Sequence, residues 1–208
     1  MDFDANRINE KEELTKSRIS FLKYISIFLF ALFLANTINL FIISTVEIRG
    51  DSMEPTFTGQ VGNYDRAFMV KVLKPKIYDV IVIDVFPNED PYIKRVFGFE
   101  GDILWGEGGY LYRKYVDDKG QTVTQKFTSE PYVTTDKDGR FVDNFSPVTV
   151  GKGEVFFLGD NRFRSKDSRM VGCRPLENVL GVVPQWAINI KGFTKGYYNF
   201  LEKHLFGN

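Results

Sequence analysis

Residues 24–44 (YISIFLFALFLANTINLFIIS) carry no charge, and that one stretch decides most of what the chain can be. As a helix, its 21 residues span roughly 31 Å, close to the ~30 Å hydrocarbon core of a bilayer. A buried core helix is the competing reading. Only Asn36, Thr37 and Asn39 soften a sequence that is otherwise apolar on every side, and a helix without a polar face suits lipid better than a small core. Lys16, Arg18 and Lys23 precede the stretch, and only Arg49 follows closely. The positive-inside rule then puts residues 1–23 in the cytoplasm as a tail and residues 45–208 outside. The stretch is long for the apolar part of a cleaved signal peptide. A cut after Ser44 would put Ile42 at the minus-three position, and a cut after Ala35 would put Phe33 there, both too large. The expectation is an uncleaved signal anchor over 24–44, crossing the cell membrane once, with the lipid bilayer as a partner.

Beyond residue 45 the pattern is β, so the fold class is mainly β: an antiparallel β-sheet extracytoplasmic domain with one N-terminal transmembrane helix. Val46 and Ile48 alternate with Glu47 and Arg49, and residues 79–86 (DVIVIDVF) form a β-branched run suited to a strand buried on both faces. Gly106-Glu107-Gly108-Gly109 between two apolar segments is a hairpin signature, and Asp117-Asp118-Lys119-Gly120 is a further turn. Residues 154–158 and 179–183 are further strands. The polar segment 115–150 reads as a surface insertion of loops and ribbons. Residues 1–18, of mixed charge, read as a mobile tail or frayed helix. Residues 197–205 suit a short terminal helix.

Composition removes several kinds of chemistry. The 27 basic and 27 acidic residues balance, which argues against nucleic acid as a partner. One cysteine, Cys173, allows neither an internal disulfide nor a Cys-based zinc site, and no other metal or cofactor is expected. The one histidine, His204, lies in an aromatic tail far along the chain from any motif; its ordinary reading is a surface side chain near the membrane interface. A hydrolase built on this chain therefore needs a base other than imidazole.

Three segments can supply chemistry. The first is Gly50-Asp51-Ser52-Met53-Glu54-Pro55-Thr56, with Ser52 on a short strand ended by a proline break. By itself Ser52 reads as an ordinary turn serine. The second is Tyr92-Ile93-Lys94-Arg95-Val96, where strand alternation flanks Lys94 with Tyr92 and Val96 on its own face. A snorkelling lysine is the bland alternative. Burial lowers an amine's affinity for its proton, and a neutral lysine can act as a base near pH 7. The third, Gly159-Asp160-Asn161-Arg162-Phe163-Arg164-Ser165-Lys166-Asp167-Ser168-Arg169, packs hydroxyls, carboxylates and arginines into eleven residues after an apolar strand.

Together the three segments resemble type I signal peptidases, the membrane-bound serine proteases that remove signal peptides from secreted preproteins. Ser52-Met53-Glu54-Pro55-Thr56 fits that family's S-M-x-P-T box. Lys94 to Asp102 resembles its K-R-V-x-G-x-P-G-D box, with Glu100 in place of the usual proline, and Gly159 to Arg169 matches its G-D-N-R-x-x-S-x-D-S-R box at every fixed position. Single-pass anchoring resembles the Gram-positive members. The resemblance implies Ser52 as nucleophile and Lys94 as general base in a Ser-Lys dyad. It implies that Ser165 hydrogen-bonds the Lys94 amine, and that Asp167 and Arg169 pair beneath the loop with Arg95 near them. It implies an oxyanion held by the Ser52 N–H and a second donor at the Gly50 position, where the lack of a side chain leaves a backbone or solvent group to serve. Met53 and Ile93 are candidate walls of the pockets for small substrate residues, and the substrate is expected to add as an extended strand. Trp105, Trp186, Phe193, Tyr197, Tyr198 and Phe200 are either interfacial or core aromatics.

Other readings remain at this point. One is a catalytically silent, membrane-tethered assembly factor or chaperone for secreted proteins, which is expected to lack the Ser52 or Lys94 equivalent. Others are an anchored module that docks lipids or peptides, and a self-cleaving Ser-Lys repressor, against which the anchor and the balanced charge argue.

Overall fold

The computed structural model describes the backbone of residues 2–130, 132–133 and 135–205, and the side chains of residues 15–130, 132–133 and 135–200. The chain divides into two units, Met1–Ile42 and Ile43–Asn208. The first is one helix, α1 (Asp2–Phe41). Its segment Thr15–Phe41 is, among the described residues, the one helix long and apolar enough to cross a membrane. Two boundaries differ from expectation. The helix runs on through residues 2–18, so the polar stretch continues it. It also ends at Phe41, because Ile43 and Ser44 pair with Val70 and Met69 as the start of a strand.

The second unit is β. Its strands are β1 (Ile43–Glu47), β2 (Gly59–Gln60), β3 (Asn63–Tyr64), β4 (Arg66–Val70), β5 (Val80–Ile83), β6 (Tyr92–Phe99), β7 (Ile103–Glu107), β8 (Tyr110–Val116), β9 (Thr122–Phe127), β10 (Phe145–Thr149) and β11 (Glu154–Leu158). They are followed by the short helix α2 (Ser168–Val171), β12 (Arg174–Pro175), β13 (Val179–Val183), α3 (Gln185–Asn189) and α4 (Lys191–Leu205). A seven-stranded sheet runs β1-β4-β13-β5-β6-β11-β12, a four-stranded sheet runs β10-β7-β8-β9, and β2 and β3 pair as a ribbon. The pairings are antiparallel throughout.

The β-branched run forms a strand buried on both faces over Val80–Ile83, shorter than residues 79–86 because the chain leaves the sheet at exposed Asp84. On β5, Val80 and Val82 enter one apolar cluster with Met53, Phe57 and Met69, while Ile81 and Ile83 enter a second with Val96, Val155 and Phe157. A third cluster, around Phe97, Leu104, Leu111 and Phe156, joins the two sheets. The Gly108-Gly109 hairpin and the turn at residues 117–120 form as read. Segment 115–150 is less peripheral than a surface insertion: besides the ribbon strands it delivers Phe127, Val142 and Val150 to the third cluster, and buried Glu130 to the loop after β11. The terminal helix α4 begins at Lys191, six residues before the expected start.

The topology brings the chemical segments together. β6 lies between β5 and β11, and the register pairs Leu158 with Arg95. The loop leaving β11 therefore starts beside the strand that carries Lys94.

Candidate active site

Ser52 occupies a turn, not the strand expected for it. β1 ends at Glu47, and the chain then leaves the sheet. Glu54 and Phe57 N–H groups donate to the Asp51 and Met53 carbonyls, closing the turn. Met53 and Phe57 are buried, which pins it to the first cluster. Gly50 donates its N–H to the Gly59 carbonyl at 2.9 Å. Gly59 approaches so closely that a Cβ there would lie 2.5 Å from the Gly50 nitrogen.

Lys94 is 4% exposed. Its Nζ donates to Ser52 Oγ at 2.8 Å and to the Ile93 carbonyl at 2.8 Å, and it lies 5.2 Å from the centre of the Tyr92 ring. Burial pushes the Lys94 amine down to about 8, against the pull of the Asp167 and Asp160 carboxylates, which favour its charged form. The sequence supplies that burial through Tyr92 and Val96 on the same strand and Ile81 opposite.

The loop after β11 braces this pair. Arg95 donates to Asp160 through Nε at 2.8 Å and Nη2 at 2.6 Å, and Thr56 donates to the same carboxylate at 2.5 Å. Arg95 also lies 3.9 Å above the Tyr132 ring. Asp167 accepts from Arg169 and from the Gly159 N–H, and it caps α2. Arg162 is fully buried, pairs with fully buried Glu130, and donates to the Gly159 carbonyl at 3.1 Å. Asn161 donates its backbone N–H to the Ser52 carbonyl at 3.0 Å and its Nδ2 to the Asp51 carbonyl at 3.1 Å.

Measured against the sequence reading, Ser52 and Lys94 meet, and Asp167 and Arg169 pair. Arg95, expected near Asp167 and Arg169 with no partner assigned, pairs with Asp160, because the β6–β11 register meets the loop at its start. Two details are corrected. Ser165 does not hydrogen-bond Lys94: its hydroxyl is buried without a partner among the described residues, and the amine donates to Ser52 and to the Ile93 carbonyl. The Gly50 N–H is committed to Gly59, so it is not the second oxyanion donor. The Ser52 N–H, by contrast, donates to nothing among the described residues.

Met53 and Ile93 both line a cleft of about 330 Å³ with Ser52 and Lys94, between residues 48–53 and 90–94, with Arg164 and Lys166 at its side. Cys173 is half-buried against the third cluster, where burial pushes its thiol up to about 11, so it acts as a small apolar residue. Glu100, in the place of the family's usual proline, accepts the Gly153 N–H at 3.0 Å. The His204 side chain lies outside the described residues. Among those described, no group of His, Cys, Asp or Glu side chains could hold a metal ion.

Sequence reasoning passed over Glu130, Asp160 and Asn161 as working parts. The last two stood inside a recognised box without an assigned partner. Glu130 had no signal at all, because its mate is 32 positions away.

The family model of signal peptidase, peptidase S26, matches residues 21–186. A signal peptidase I of Bacillus caldolyticus is 33% identical over 162 residues, covering 71% of this chain and 80% of that protein. A signal peptidase I of Bacillus licheniformis is 29% identical over 164 residues, covering 76% of this chain and 83% of that one. A crystal structure of a signal peptidase I from Enterococcus faecalis V583 overlays with a TM-score of 0.43 at 28% identity, over 54% of this chain and 99% of that one. With its β fold, its apolar N-terminal helix and a family match spanning most of its length, the chain belongs to the signal peptidase family, peptidase S26.

Proposed function

We propose that the chain is a membrane-anchored serine endopeptidase that cleaves signal peptides from secreted preproteins with a Ser52–Lys94 dyad. One observation carries the assignment: a buried amine, depressed to about 8, 2.8 Å from a serine hydroxyl at the edge of a peptide-sized cleft.

The preprotein lies extended in the cleft, its small residues against Met53 and Ile93. The neutral Lys94 amine accepts the Ser52 proton as Oγ attacks the scissile carbonyl. The oxyanion is met by the Ser52 N–H. The Lys94 ammonium then gives its proton to the departing amine, leaving an acyl group on Ser52. Lys94 next takes a proton from the water that attacks the ester, and returns it to Ser52 Oγ as the acyl group leaves as a carboxyl terminus. Arg95 with Asp160, and Arg169 with Asp167, hold the loop that backs the pair. Residues 1–23 form the cytoplasmic tail, the apolar helix within 24–44 is the single anchor, and residues 45–208 are the extracytoplasmic catalytic part. This orientation is supported by Lys16, Arg18 and Lys23 ahead of the apolar stretch. No observation favours the silent chaperone reading.

The test is cleavage of a preprotein by the detergent-solubilised full chain, with the new N-terminus mapped by mass spectrometry. Ser52→Ala and Lys94→Ala are each expected to lose more than about a thousandfold with folding intact, as members of one catalytic unit do. Substantial activity in either folded variant would remove that residue from its role.

A further inference from the structure

Ser52 is held by a grip that none of the assigned roles uses. Asn161 donates its side-chain Nδ2 to the Asp51 carbonyl and its backbone N–H to the Ser52 carbonyl, at 3.1 and 3.0 Å. Those carbonyls belong to the two peptide planes that meet at the Ser52 Cα. A trans peptide is planar, with its N–H directed opposite to its C=O. Fixing the Asp51 oxygen therefore fixes the direction of the Ser52 N–H, which is the other end of the same plane. Fixing the Ser52 oxygen sets the second plane.

We infer that Asn161 is a positioning residue that aims the Ser52 N–H at the oxyanion, an inference that rests on the nucleophile assignment above. The direction of that one N–H matters more here than where two backbone donors share the load, since the Gly50 N–H is occupied by Gly59. The amide type also matters. A carboxylate at this place would set negative charge against the Asp51 carbonyl, whereas an amide offers it a donor. The Asp51 carbonyl keeps one further donor, the Glu54 N–H at 3.1 Å, so loss of Nδ2 loosens the plane without collapsing the turn. The loop in turn holds Asn161: its carbonyl accepts the Arg164 N–H at 3.1 Å, and Arg162 beside it is buried against Glu130.

A lost oxyanion donor lowers kcat by about 10² to 10³, so a misdirected one should lower it by about 10 to 10². The experiment measures kcat, KM and the pH profile of preprotein cleavage for Asn161→Ala and Asn161→Asp. Inhibition by a peptidyl boronic acid, which mimics the tetrahedral adduct on a serine, is measured alongside, with thermal melting as the folding control. The expectation is a kcat loss of about tenfold or more, KM within about threefold and boronate affinity falling in step with kcat, with an unmoved pH midpoint in Asn161→Ala and, in Asn161→Asp, a larger loss and a midpoint raised by the added carboxylate. Wild-type kcat in both variants, or in Asn161→Ala a loss carried by KM or by a moved midpoint, would overturn the inference. Ser52→Ala separates the two claims. If it cleaves, the nucleophile assignment fails; if it is inert while both Asn161 variants cleave normally, only the role of Asn161 fails.

Discussion

Lys94 Nζ and Ser52 Oγ lie 2.8 Å apart although 42 positions separate them in the chain. The contact exists because β6 is an interior strand of the larger sheet and the Ser52 turn is pinned to the core by Met53 and Phe57. The fold thereby keeps a basic group where water is scarce, at a price in stability.

That price is measurable. A drop from 10.5 to about 8 corresponds to about 3 kcal/mol of destabilisation while the amine is charged in both states. Lys94→Met should therefore unfold at higher urea than wild type at pH 7. Between pH 8 and 10.5 the unfolded chain holds more protons than the folded one, so wild-type stability rises with pH and the gap closes. Equilibrium denaturation at pH 7 and pH 10 checks both parts.

Glu130 and Arg162 form a fully buried ion pair beneath the loop, with the Arg162 guanidinium 4.8 Å from the centre of the Phe97 ring. Glu130→Ala leaves a buried cation without its partner and should lose about 3–5 kcal/mol. Replacing both, as Glu130→Leu with Arg162→Met, should recover much of that loss. Denaturant midpoints of Glu130→Leu, Arg162→Met and the double variant close the cycle.

Gly159 sits where Ser52 and Ser165 converge. A Cβ there would strike the Ser165 hydroxyl and lie 2.5 Å from the Ser52 carbonyl oxygen. Gly159→Ala should push the nucleophile turn away from Lys94 and lower kcat by about tenfold or more, since small displacements of reacting groups are amplified in rate. A steady-state assay against wild type, with melting as a control, is the check.

Much of this was legible in the sequence, for local reasons. The alternation around Lys94 fixed its apolar neighbours, the run at residues 79–86 announced a strand buried on both faces, and the glycines at 108–109 announced a hairpin. The helix end at Phe41 was not legible, because Ile42 and Ile43 are as apolar as what precedes them, and only pairing with β4 decides which state they take. The partner of Arg95 depended on a register between β6 and β11 that no local pattern encodes. Glu130 looked like one more charge in a polar segment until the fold set it against Arg162. The Gly50 N–H was lost to Gly59, across a turn whose path the sequence does not specify.

The measurement closest to the central claim is kcat/KM for preprotein cleavage by the full chain from pH 5 to pH 10. A buried lysine that must be neutral to act predicts activity rising through one ionisation near 8 and staying high on the alkaline side. A midpoint near 6.5 would point to His204, and one above 10 to a solvated amine; either would contradict Lys94 as the desolvated base.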